Sequence, residues 1–181
     1  MDFVQTGIAG VVEVRFDIRA DKRGRFKRQF CRREFEAAGL MGEIAQVNHS
    51  ITLGSGSIRG LHFQRGEHAE EKLVTCTYGR VFDVAVDLRP DSPTYLRFAA
   101  LELDESVAFH IPKGCAHGFQ ALTDEVHLVY LHSEYYHPKA EGGVRFDDPA
   151  LGIEWPLPAT NLSERDSAFP LIGDDFAGVV L

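Results

Sequence analysis

The sequence predicts an all-β fold of the sandwich, barrel or jelly-roll class with few helices. Three observations carry this reading. Side chains alternate with period two in run after run. Clusters of Gly, Pro, Asp and Ser separate the runs. Only one stretch, Arg32 to Leu40, has helical character, with Phe35 and Leu40 set among charged residues and alanines and Gly39 as its stop.

Taken in order, Val11 to Ile18 and Ile44 to Thr52 are the first strand-like runs, with a turn at Asp21 to Gly24. Beyond the turn at Gly54 to Ser57, a strand is expected over Ile58 to Gln64. It would set His62 on one face with Ile58, Gly60 and Gln64, and Arg59, Leu61 and Phe63 on the other. Glycine beside His62 would leave room for a ligand to approach closely. Leu73 to Leu88 reads as two strands broken at Tyr78-Gly79. Arg97 to Leu103 and then Val107, Phe109 and Ile111 alternate again. The turn at Pro112 to Gly114 leads the chain into a further strand. Val126, Leu128, Tyr130 and His132 share one face of the next. Past Pro138 the chain is richer in Pro, Asp and Gly. Irregular structure with short helices is expected there, one starting near Ser163 as cap with Asp166 three residues on.

Composition narrows the partners. The chain has 181 residues, with 19 Lys plus Arg against 27 Asp plus Glu and a net charge of −8. Binding a polymer of phosphates needs clustered positive charge, so nucleic acid is not expected as a partner. A small anion held by a few local arginines is compatible with this balance. No apolar run approaches the roughly 18 residues that suggest a membrane span. The residues from Met1 to Gly10 lack a secretory pattern, and Cys31, Cys76 and Cys115 form no CxxC pair. A cytoplasmic protein with free thiols is expected.

Four groups of residues could carry chemistry. The densest is Arg59 to Gln64 followed by Lys72, where His62 reads equally as a ligand-facing or a core histidine and Lys72 as a surface cation. The second, Pro112-x-Gly114-x-x-His117, matches the second metal motif of many cupin barrels. The first such motif needs His-x-His and a carboxylate, but His62 is followed by Phe63 and Gln64, so no metal is expected. Third, Tyr130 would be buried and would need a partner for its hydroxyl. Fourth, Arg23, Arg25, Arg28 and Arg59 could hold a diphosphate through charge-assisted hydrogen bonds.

Together these segments resemble the dTDP-4-dehydrorhamnose 3,5-epimerase family. The matching motifs run in order along nearly the whole chain. They include Asp21-x-Arg23-Gly24-x-Phe26, Gln46-x-Asn48-x-Ser50, Arg59-Gly60-Leu61-His62-Phe63-Gln64, Lys72-Leu73-Val74, Gly79 to Arg89, Ala116-His117-Gly118-Phe119, Tyr135-Tyr136, Asp147 to Pro156 and Leu162 to Asp166. Each is weak alone, and their common order is specific. The resemblance implies a cupin-type double-stranded β-helix (jelly roll) with a few short peripheral helices. It would form one domain, with N-terminal strands over 1–43, a jelly-roll core over about 44–137 and a covering segment over 138–181.

It also implies a reaction without cofactor or metal, in which carbon 3 and/or carbon 5 of a nucleotide-linked 4-keto-6-deoxy sugar is inverted through an enolate. His62 would be the base, supported by Asp166, Tyr130 the acid on the opposite face, and Lys72 the partner of the enolate oxygen. Arg59 would hold the diphosphate and His117 the ligand, Gln46 and Asn48 would contact nucleotide or sugar, and Tyr136 would stack near the base. Glu141 and Arg165 match further ligand-contacting positions. Arg23 and Phe26 would reach the nucleotide from a partner subunit, so the resemblance implies a homodimer. Three positions depart from the family pattern. Arg28 stands in place of a nucleotide-binding glutamate, Gly142 in place of an arginine, and His132 lies in the strand-end stretch. Arg28 therefore leaves the nucleobase open, with CDP- or GDP-linked sugars and inversion of a single carbon as alternatives. A metal-dependent cupin enzyme and a sugar-nucleotide binding protein are the readings from other classes.

Overall fold

A computed structural model describes residues 1–181. In chain order the elements are β1 (Asp2–Gln5), β2 (Val12–Arg15), β3 (Ile18–Asp21), β4 (Gly24–Lys27), α1 (Arg32–Ala37), β5 (Gln46–Leu53), β6 (Ile58–Gln64), β7 (Lys72–Tyr78) and β8 (Val81–Asp87). There follow β9 (Phe98–Leu103), β10 (Val107–Ile111), β11 (Cys115–Ala121), β12 (Glu125–His132), β13 (Glu141–Gly143) and α2 (Glu164–Ala168). Two antiparallel sheets, in the orders β1-β2-β10-β7-β12-β5 and β13-β6-β11-β8-β9, form the expected jelly roll. No helix is long and apolar enough to cross a membrane.

Three expectations need correction. The run from Val11 to Ile18 is not one strand. Phe16 leaves the ladder, with its N–H bonded to the Ser106 carbonyl, and β3 turns away to pair only with β4. The segment past Pro138 holds one helix rather than several, and it supplies β13, whose Glu-Gly-Gly backbone pairs with Phe63 and its neighbours on β6. The short edge strand β1, paired with β2, adds a strand where no alternation announced one.

The period of two explains where the core lies. Inward residues Val74 and Cys76, Val126 and Leu128, and Phe119 and Ala121 pack with Phe109 and Ile111 into one apolar cluster between the sheets. Further along those same strands the inward positions turn polar, at Lys72, at Tyr130 and His132, and at His117. The inter-sheet space is thus a packed core at one end and a cavity at the other. Outside, the C-terminal segment covers the smaller sheet with Val144, Leu151 and Val179 against Leu61, Phe63, Val84 and Val86. On the larger sheet, α1 buries Phe35 completely against Val12, Val14 and Leu131. Burial of one such side chain contributes about 2–3 kcal/mol, which helps to hold a helix too short to persist alone. The β5 edge has no such cover, and Val47, Ile51 and Leu53 face outward, 60%, 50% and 65% exposed.

Candidate active site

The two sheets bring most of the predicted residues to one cavity of about 290 Å³. The larger sheet contributes Asn48 and Ser50 from β5, Lys72 from β7, and Tyr130 and His132 from β12. The smaller contributes Arg59 and His62 from β6 and His117 from β11. Tyr136, Glu141 and Arg165 stand at its rim, and a second cleft lined by Arg59, His62 and Asp166 adjoins it.

Strict alternation would have set Arg59 and His62 on opposite faces, yet both line the cavity. The reason is a slip in register. His117 pairs with His62 and Phe119 with Arg59, so β6 passes three residues where β11 passes two. The extra residue bends the strand and returns Arg59 to the side of His62. Gly60 lies at this point with φ +124°, where a Cβ would come within 2.5 Å of the Gly118 Cα. The space left by Gly60 therefore admits the backbone of β11, not a ligand.

Asp166 reaches His62 across 104 residues of sequence. Ser163 caps α2 by accepting from the Asp166 N–H at 3.0 Å, which orients the first turn. Asp166 Oδ1 lies 2.7 Å from His62 Nε2, and its Oδ2 accepts the Gly60 N–H at 3.2 Å. Burial would raise the Asp166 carboxyl, but the hydrogen bond and charge of His62, the Gly60 N–H and Arg165 hold it below the usual range. An ionised carboxylate on one ring nitrogen leaves the other as a lone pair, the state a base needs.

Opposite, Ser50 donates to the Tyr130 hydroxyl at 3.5 Å. Burial pushes that phenol above its ordinary value, so it stays protonated and able to donate. His117 meets the Tyr130 ring edge-on at 5.9 Å and is fixed by Asp83, 2.8 Å from its Nε2. Asp83 is fully buried, its second oxygen has no partner, and burial raises its carboxyl despite His117. Lys72, expected on the surface by default, is instead 10% exposed, with Nζ 3.2 Å from Glu70. Arg59 Nε donates to Thr52 Oγ1 at 2.8 Å, which leaves part of the guanidinium free for an anion.

Other predicted residues bond within the chain or lie elsewhere. Gln46 is a brace, accepting from the Tyr136 N–H at 3.1 Å and donating to Asn48 at 3.1 Å. Tyr136 donates to Glu141, which also accepts from Arg165. Arg23, Phe26 and Arg28 lie outside this chain's own cavity. The β3–β4 hairpin exposes Phe26 (69%), and Arg28 pairs with Glu34 on α1 at 3.0 Å. Sequence reasoning missed Glu70, Asp83 and Ser50. Asp83 shares a face with Val81 and Ala85, and Ser50 with Asn48, so the period of two could have flagged both.

With this geometry in view, comparison with known proteins is direct. The family model described as dTDP-4-dehydrorhamnose 3,5-epimerase matches residues 5–174. The chain is 39% identical over 176 residues to the dTDP-4-dehydrorhamnose 3,5-epimerase of Salmonella typhimurium, covering 95% of this chain and 96% of that one. It is 42% identical over 171 residues to a dTDP-4-dehydrorhamnose 3-epimerase of Streptomyces niveus, covering 93% and 82%. The crystal structure of a 3,5-epimerase from Legionella pneumophila in complex with dTDP-4-keto-L-rhamnose superposes with a TM-score of 0.92 at 34% identity, covering 99% and 98%. The chain belongs to the dTDP-4-dehydrorhamnose 3,5-epimerase family.

Proposed function

We propose that this protein inverts carbon 3 and/or carbon 5 of a nucleotide-linked 4-keto-6-deoxy sugar, with dTDP-4-dehydro-6-deoxy-D-glucose going to dTDP-4-dehydro-L-rhamnose as the main reading. The observation that carries it is the arrangement of base and acid. His62, backed by Asp166 from α2, comes from one sheet, and Tyr130 and Lys72 come from the other, around one cavity. The ketone at carbon 4 acidifies the neighbouring C–H bonds. His62 takes the proton, and the bonding pair moves into an enolate whose oxygen faces the Lys72 ammonium. A preorganised cation in a dry site lowers such a barrier by about 3–4 kcal/mol. The Tyr130 O–H then delivers a proton to the other face and is reprotonated from solvent. Both centres can share one base if the ring turns over between steps, and relatives of both the 3,5- and 3-epimerase type exist.

Incubation with dTDP-4-dehydro-6-deoxyglucose in heavy water tests this. Deuterium should enter at one or both carbons, and the pattern tells single from double inversion. Nucleotide binding without uptake at either carbon rejects the reaction. Tyr130→Phe should keep wash-in while completed inversion falls about 100-fold, the scale of one acid–base group; equal losses would remove Tyr130 from its role.

The protein acts as a homodimer in this reading, because the β5 edge presents an uncovered apolar face and the exposed hairpin carries Arg23 and Phe26 away from its own cavity. A cytoplasmic location suits its free thiols, of which burial pushes Cys76 up to about 11 and Cys115 up to about 12. Such thiols resist oxidation because little thiolate forms.

A further inference from the structure

Behind Lys72 lies a set of buried groups with no part in the scheme above. Glu70, on the segment entering β7, is 8% exposed and divides its carboxylate between two partners. Oε1 lies 3.2 Å from Lys72 Nζ, and Oε2 lies 2.7 Å from His132 Nδ1. His132 ends β12, directly opposite Lys72 in the ladder, and its Nε2 faces the Asn48 amide at 3.3 Å. An ammonium has three N–H donors. For Lys72, one points at Glu70 and a second at the His62 carbonyl, 3.4 Å away. The third is left for the cavity.

We infer that Glu70 is a positioning residue for Lys72, held in place by His132, and that together they aim the remaining ammonium N–H at the enolate oxygen. This rests on the epimerase reading. Glu70 serves the ammonium as a fixed acceptor: burial would raise its carboxyl, but His132 and Lys72 keep it ionised. His132 serves through its Nδ1–H, a donor at a set place. An interaction that matters only once charge develops on carbon 4 lowers kcat when lost and leaves KM in place.

The test follows deuterium exchange kinetics in Glu70→Ala, Glu70→Gln, His132→Ala and His132→Asn. Glu70→Ala and His132→Ala should lower kcat about 10-fold or more with KM within about 3-fold, as expected for a group acting through another. Glu70→Gln keeps an acceptor for Lys72, and His132→Asn keeps a donor near the Nδ1 position. Each should recover most of the loss. Because Glu70→Ala leaves the Lys72 charge unpaired and can cost the fold, the His132 pair provides an independent arm. A second readout needs no activity: the 15N signal of the Lys72 ammonium should persist in the wild type and Glu70→Gln, and broaden away in His132→Ala. Losses that fall on KM, no rescue by the Gln and Asn variants, or an unchanged ammonium signal in His132→Ala would overturn the inference. A wild type that shows the ammonium pattern but no exchange would instead reject the epimerase reading alone.

Discussion

Asp166 and Asp87 are both buried carboxylates gripped by neighbours close in space, but they end differently. Asp87, at the end of β8, accepts from the Arg89 backbone and guanidinium and from Ser92 and Thr94, all at 2.5–3.1 Å. Every donor comes from the same turn, and both oxygens are filled. Asp166 is held by the Gly60 N–H and by an imidazole that keeps a second nitrogen for something else. A closed cluster can only stabilise the loop that contains it. An open one passes its charge on to a group that can exchange protons.

The sharpest way to break this comparison is at the open cluster. His62→Ala should take exchange to background, a loss on the order of 10⁴, while the melting temperature stays close to the wild type. Next comes Asp166→Asn, which preserves shape but removes the charge behind the imidazole; a loss of about 100-fold in kcat/KM is expected. If the rate instead holds and the protein melts early, Asp166 belongs with Asp87.

At the closed cluster the expected effects change kind. Burial would raise the Asp87 carboxyl, but Arg89, Ser92 and Thr94 bring it down to about 2. Its folded value lies below its unfolded one. The stabilisation is therefore present above the ordinary carboxylate pKa of about 3.9 and is lost as pH falls through about 2. Asp87→Ala should cost about 2–3 kcal/mol and lower the melting temperature by about 5–10 °C at neutral pH, with kcat unchanged. The wild type and this variant should converge in stability on acidification to pH 2, as followed by thermal melts.

Much of this site could be read from the sequence, and what could not has a physical reason. Tyr130, His117 and Asn48 sit on regular strands, so a period of two fixes which wall each one faces, whereas Lys72, at the very start of β7, reads as a surface cation. Arg59 escaped that logic because its strand carries one residue more than its partner, and a slip leaves no mark in residue type. Glu70 precedes its strand and has no period to follow. Asp166 was legible as part of a capped turn, but its reach to His62 depends on how α2 docks on β6. The strand β13 was missed because Glu-Gly-Gly lacks strand propensity and takes its form from the open edge of β6.

The slip in β6 has a metric consequence. Arg59 and His62 lie three residues apart on one strand and one side, but the slip fits those three steps into the span of two on β11, about 7 Å at 3.3 Å per residue. In the proposed reaction the strand would work as a ruler, with a mark for negative charge at one end and a mark for proton removal at the other. A substrate would be gauged by the distance between its phosphates and its acidic carbon. A ligand that is too short or too long by a single residue's rise could be gripped or deprotonated, but not both.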